Sequence, residues 1–164
     1  MTRKRLILLG LAVTLLTFGP PRDSSAKTRR LRCSQIRVSS PDVTRNKKGK
    51  KRKTARFSAS QILDLELEVR LPTKQFREQH VGRHKVALKL YTPSGSLYQT
   101  LVLPFVVDAP GATNEARYLS ASTTFPVAGT SIVTSSLYGR WTILGYVDGD
   151  TKRCGKAKRI KLNP

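Results

Sequence analysis

Leu65-Glu66-Leu67-Glu68-Val69-Arg70-Leu71 decides the fold class, because every odd position is aliphatic and every even one charged. A helix would scatter these aliphatics around its circumference, whereas a strand puts them all on one side. Period two therefore predicts a strand with one face on a core and the other in water. Val86-Ala87-Leu88-Lys89-Leu90 repeats the pattern and stops at Thr92-Pro93-Ser94-Gly95-Ser96, a run of turn formers. Leu97 then opens a second apolar stretch, so residues 84–107 read as a hairpin. Pro104 cannot donate to a sheet ladder, which places it on an edge or at a bulge.

The alternation continues on both sides of this centre. Residues 117–126 and 131–138 carry it more weakly and are read as two strands. Further on, Trp141, Ile143 and Val147 fall on one face and Thr142, Tyr146 and Asp148 on the other. Asp148-Gly149 is a dipeptide favoured in tight hairpin turns, and residues 151–162 are expected to return as a final strand. With residues 31–38 as the first, the count is seven or eight, the spacing of an all-β, single antiparallel β-sandwich. The expected core is Leu65, Leu67, Val69, Val86, Leu88, Leu90, Leu101, Leu103, Trp141, Ile143 and Val147.

The stretch Leu137-Tyr138-Gly139-Arg140-Trp141-Thr142-Ile143, followed by Tyr146-Val147-Asp148-Gly149, resembles the closing hairpin of immunoglobulin-like or fibronectin-type β-sandwich modules in bacterial exported proteins. The resemblance implies an architecture and a role in binding, spacing or assembly, since one fold hosts many functions. The antibody-type order of Cys, core Trp and Cys is absent. If first and last strands are adjacent, as in such modules, Cys33 and Cys154 can join them and lock the termini.

Arg3, Lys4 and Arg5 precede thirteen largely apolar residues, Leu6 to Phe18, then the helix breakers Gly19-Pro20-Pro21 and the small residues Ser24-Ser25-Ala26. This is the order of a signal peptide, cleaved after Ala26. Thirteen helical residues cover only about 20 Å of a hydrocarbon core near 30 Å, too little to span it. The expected domains are a leader, 1–26, and one β-sandwich, 27–164, with a basic flexible loop at about 42–56. Removing the leader changes the formal net charge from +21 to +18, since it carries Arg3, Lys4, Arg5, Arg22 and Asp23. Export, to periplasm or extracellular space, makes pairing of Cys33 with Cys154 the default, with two free thiols as the alternative.

Arg45, Lys47, Lys48, Lys50, Lys51, Arg52, Lys53 and Arg56 put eight cations into twelve residues with no acid among them. Such a run attracts polyanions, because neutralisation relieves its own repulsion. An anionic polymer or an acidic partner protein is the expected ligand. No aromatic residue is interleaved with these cations, so stacking on single-stranded nucleic acid is poorly served. The same charge can serve solubility alone, or mark a processing site. Lys152, Arg153, Lys156, Lys158, Arg159 and Lys161 can extend the positive surface if the first and last strands pair.

His80 and His84 stand four apart, with Glu78 near, but Gly82 and the flanking Arg83 and Lys85 argue against a helix and a metal site. A surface loop carrying two histidines is the reading, and no metal or cofactor is expected. Nucleophile-elbow, phosphate-loop and zincin motifs are all missing. Asp64, Glu66 and Glu68 are outward charges, so no enzyme is expected. Tyr91, Tyr98, Tyr118, Tyr138 and Tyr146 can form a carbohydrate platform or pack at the rim of the core. Two functions stay open: an exported binding module, and an accessory subunit of a cell-envelope or surface assembly that joins through its sheet edges.

Overall fold

The computed structural model describes residues 30–42, 56–111 and 116–164. The leader and the basic run from Arg45 to Lys53 lie outside these residues. The described strands are β1 (Gln35–Ser39), β2 (Arg56–Ser58), β3 (Asp64–Pro72), β4 (Gly82–Tyr91), β5 (Leu97–Val107), β6 (Tyr118–Pro126), β7 (Gly139–Val147) and β8 (Lys158–Asn163). They form a three-stranded sheet, β1-β3-β6, and a five-stranded sheet, β2-β8-β7-β4-β5.

The alternation in β3 survives intact. Leu65, Leu67, Val69 and Leu71 are fully buried, while Glu66, Glu68 and Arg70 face outward between β1 and β6. Val86, Leu88 and Leu90 of β4 are likewise buried, and both sheets contribute residues to one buried cluster. Trp141 lies in that cluster with its Nε1 donating to the Leu137 carbonyl at 2.9 Å, so the indole is buried without losing its hydrogen bond. The rings of Tyr98 and Phe125 meet it at 5.2 and 6.3 Å. Of the expected core, Leu101 alone is only half-buried.

Several expectations are corrected. Residues 131–138 hold no strand: Ser131–Thr134 is a single helical turn, α1, whose Thr130 hydroxyl accepts from the Ile132 N–H at 3.3 Å. Ile132 is buried by this turn, and Ser136 at φ 50° ends the segment before β7. The last strand begins at Lys158 rather than 151, and the first spans Gln35–Ser39 rather than 31–38, because the residues before each are held by the disulfide and not by a ladder. The sheets are not wholly antiparallel either. β2, which the sequence did not disclose, pairs in parallel with β8.

Pro104 sits on β5, an edge strand of the five-stranded sheet. Its cross-strand neighbour Lys85 gives its N–H to Asp148 Oδ1 and accepts from the Asp148 N–H, both at 3.0 Å. The backbone of Lys85 therefore points away from β5, and a residue without an N–H is tolerated opposite it.

Cys33 and Cys154 form a disulfide, with Cα atoms 5.0 Å apart and a sequence separation of 121. Cys33 leads into β1 and Cys154 into β8, strands of different sheets, so the bridge ties the two sheets together. Cys33 N–H donates to the Cys154 carbonyl, and Cys154 N–H to the Gly145 carbonyl, each at 2.8 Å.

Candidate anion-binding face

Strand register gathers cations that the sequence scatters. Arg56 on β2 is the partner of Lys161 on β8, and Lys161 is the partner of Arg140 on β7, so three exposed cations stand side by side on three neighbouring strands. Arg159 lies one outward position along β8, opposite Thr142, which in turn faces Tyr91 on β4. These residues, with Thr92, Pro93 and Gly95 of the turn before β5, line a shallow trough of about 810 Å³. Among the described residues, none of the four cations is ion-paired with a carboxylate.

The composition of the sheets explains why. The strands of the five-stranded sheet contain no Asp or Glu at all. The acids found in strands, Asp64, Glu66 and Glu68, are all on β3 in the other sheet. There Glu68 accepts from Ser120 Oγ at 2.8 Å and Arg70 Nε at 2.9 Å, with Arg37 at 3.9 Å. Burial raises the pKa of this carboxyl, but the hydrogen bonds from Ser120 and Arg70 and the charges of Arg70 and Arg37 together outweigh it and hold it below its ordinary value. Like charges placed directly opposite on adjacent strands repel and destabilise the pairing. The row Arg56–Lys161–Arg140 carries that penalty, which an anion placed beside it would relieve.

Arg56 is both the last cation of the sequence run and the first residue of β2, so the segment leads onto the trough. At its other end, Asp42 Oδ2 accepts from the Leu63 N–H at 2.7 Å, beside the start of β3 in the three-stranded sheet. The remaining run residues, Arg45, Lys47, Lys48, Lys50, Lys51, Arg52 and Lys53, lie outside the described residues. Of the C-terminal cations, Arg159 and Lys161 join the trough, whereas Lys152, Arg153 and Lys156 precede β8 at the disulfide end of the domain.

A second hollow, of about 280 Å³, lies at that end between Arg30, Arg32, Pro72, Lys74, Gln75 and Arg77. Arg30 is already paired with Asp150, and Gln75 clamps the Arg32 backbone through bonds of 2.7 and 2.8 Å. Hydrogen bonds from the Lys152 and Thr151 backbone and from Arg30, together with its charge, outweigh burial and lower the Asp150 pKa, the Lys152 bond being the largest influence.

The histidines are not a pair in a surface loop. His80 is buried in a single 3-10 turn, Glu78–His80, where its Nδ1 accepts from the Arg77 N–H at 3.0 Å. His84 is on β4, stacked on Phe105 at 5.2 Å. Its Nε2 lies 2.8 Å from the His80 carbonyl and its Nδ1 2.7 Å from Asp148 Oδ2. The His84 ring thus lies between the His80 carbonyl and the Asp148 carboxylate and ties this corner together. No cluster of metal-ligating side chains occurs among the described residues.

The tyrosines do not form one platform. Tyr98 packs against Trp141 and Phe125, Tyr138 packs against the core, and Tyr118 is exposed at the start of β6 in the opposite sheet. Tyr91 lines the trough, and the ring of Tyr146 lies under the Lys89 ammonium at 5.0 Å. Sequence reasoning missed the trough because Arg140 and Tyr91 belong to no charged run. The signal was available as outward positions on acid-free strands.

Among the described residues no helix is long and apolar enough to cross a membrane. No family model matches the chain, and no curated protein matches it. Among solved structures, an immunoglobulin-like protein from Pseudomonas aeruginosa is similar over 83% of this chain and 98% of its own, with 14% identity and a TM-score of 0.44. A Bacteroides fragilis protein assigned as a beta-galactosidase is similar over 77% of this chain, with 12% identity and a TM-score of 0.43, and the chain spans 16% of its length.

Proposed function

We propose that the chain is an exported, non-enzymatic module of immunoglobulin-like sandwich architecture that binds anionic polymers through the basic segment Arg45–Arg56 and the trough into which it leads. The row Arg56–Lys161–Arg140 carries this reading: three exposed cations in direct register, on a sheet whose strands hold no acid, at the end of a run that holds none. A leader-like N-terminus and a disulfide support export. Binding comes from charge neutralisation and counterion release, with little discrimination of sequence.

The test compares three proteins: wild type, a run variant with Lys47, Lys48, Lys50, Lys51, Arg52 and Lys53 changed to Gln, and a trough variant with Arg140, Arg159 and Lys161 changed to Gln. Each is titrated with heparin, DNA and an uncharged polysaccharide at several salt concentrations, with circular dichroism as the folding control. Wild-type affinity for the two polyanions should fall steeply with salt. For DNA the logarithmic slope should flatten by roughly 0.7 to 0.9 for each phosphate that a variant no longer neutralises. Equal affinities of all three proteins for the polyanions overturn the reading and leave the accessory-subunit role in its place. Preference for the uncharged polymer moves the site to Tyr91.

A further inference from the structure

The outward face of the five-stranded sheet changes character across its width. One margin holds the cation row; the other is β5, which contains no charged residue from Leu97 to Val107 although a quarter of the chain is charged. Three consecutive outward positions of β5 are apolar: Val102, 58% exposed, then Pro104, then Val106, 47% exposed. Register sets a cation of β4 beside two of them, Lys85 opposite Pro104 and Arg83 opposite Val106. Val102 continues through Ala87 to Tyr146, whose ring lies under Lys89.

A single exposed aliphatic is ordinary, but a strip of them bordered by a column of cations is not. A soluble polyanion would neutralise the cations and leave the strip in water. A layer of anionic headgroups over acyl chains matches both parts, phosphates against Lys and Arg, and the strip at the headgroup boundary. We infer that this face docks on an anionic lipid surface, with β5 as its apolar contact. The inference rests on the polyanion reading of the same face and names the surface that presents the anions. Each cation brought near such a surface adds roughly fivefold to the affinity.

The experiment is co-sedimentation of the protein with vesicles of phosphatidylcholine alone, or of phosphatidylcholine mixed with phosphatidylglycerol. The variants are Val102→Thr with Val106→Thr, which keeps shape and strand propensity, and Arg140→Gln with Lys161→Gln. Wild type should pellet with the mixed vesicles and not the neutral ones. The valine variant should lose vesicle affinity several-fold while holding its heparin affinity, and the cation variant should lose both. Wild type that binds heparin but not mixed vesicles overturns the lipid inference alone, as does a valine variant that binds vesicles like wild type. If the valine variant instead turns a dimer into a monomer in sedimentation velocity with vesicle binding unchanged, the strip belongs to a second copy. Wild type that binds neither ligand overturns both readings.

Discussion

A Cβ atom added to Gly145 would stand 3.0 Å from Sγ of Cys154. The disulfide therefore occupies the space that an inward side chain of β7 would otherwise fill, with Ile36 and Leu88 closing it at 3.4 and 3.5 Å. Gly155 is tighter, since a Cβ there would meet the Cys33 carbonyl oxygen at 2.6 Å, and backbone yields less readily than a side-chain tip. Gly155→Ala should cost about 1–3 kcal/mol, the range for overpacking. Gly145→Ala should cost less, because its nearest approach of 3.0 Å is milder than the 2.6 Å at Gly155 and the unfolded chain loses entropy. Urea denaturation of both variants checks the order, and equal stabilities would show that the bridge region is loosely packed.

Reduction should expose the contribution of the bridge itself. In the chain-entropy model a loop of this length stabilises by about 4–5 kcal/mol. The double variant Cys33→Ala, Cys154→Ala should lose a large part of that in chemical denaturation. It should also match reduced wild type. Titration of two free thiols in the unreduced, denatured protein would contradict the bridge outright.

Glu68 makes stability depend on pH in a definite direction. Its pKa is lowered in the folded state, so its contribution is present above the unfolded value, ~4.3, and is lost as pH falls through the folded one. Glu68→Gln should thus be less stable than wild type near neutrality, and the gap should close in acid. A gap that is constant down to about pH 2 would assign the loss to packing instead of charge.

Relief of repulsion should be measurable without any ligand. Lys161→Gln removes the middle cation of the row Arg56–Lys161–Arg140 and should stabilise the free protein by about 0.2–1 kcal/mol at low salt. At about 1 M salt, where screening acts within about 3 Å, the gain should vanish. Thermal denaturation at both ionic strengths tests this, and a destabilised variant at low salt would mean that Lys161 has a stabilising partner.

The parts of the fold legible in the sequence are those where core and water act on alternate residues of one long strand. Leu65 to Leu71 and Val86 to Leu90 state their own faces, and Trp141, Ile143 and Val147 theirs. Ser131–Thr134 did not, because four residues are too few to express a helical period and Thr130 supplies the cap locally. Arg56–Ser58 is equally silent, since three residues show no alternation and their partner on β8 is about a hundred positions away. The run toward Arg56 could be read from charge alone. Its continuation through Lys161 and Arg140 could not, because register between distant strands is set by the core and not by the cations it brings together.

The covalent tie between the lead-in to β1 and the lead-in to β8 encloses the whole basic segment. A backbone cut anywhere between Asp42 and Arg56 would sever β1 from everything that follows it in the chain, yet Cys33 would still hold the small fragment to Cys154. Five residues of β1, paired to β3 from Gln35 to Ser39, would stay latched in their sheet. The nicked molecule would run as one species on a gel and fall into two pieces only when a thiol is added, so the segment can be opened without releasing either half.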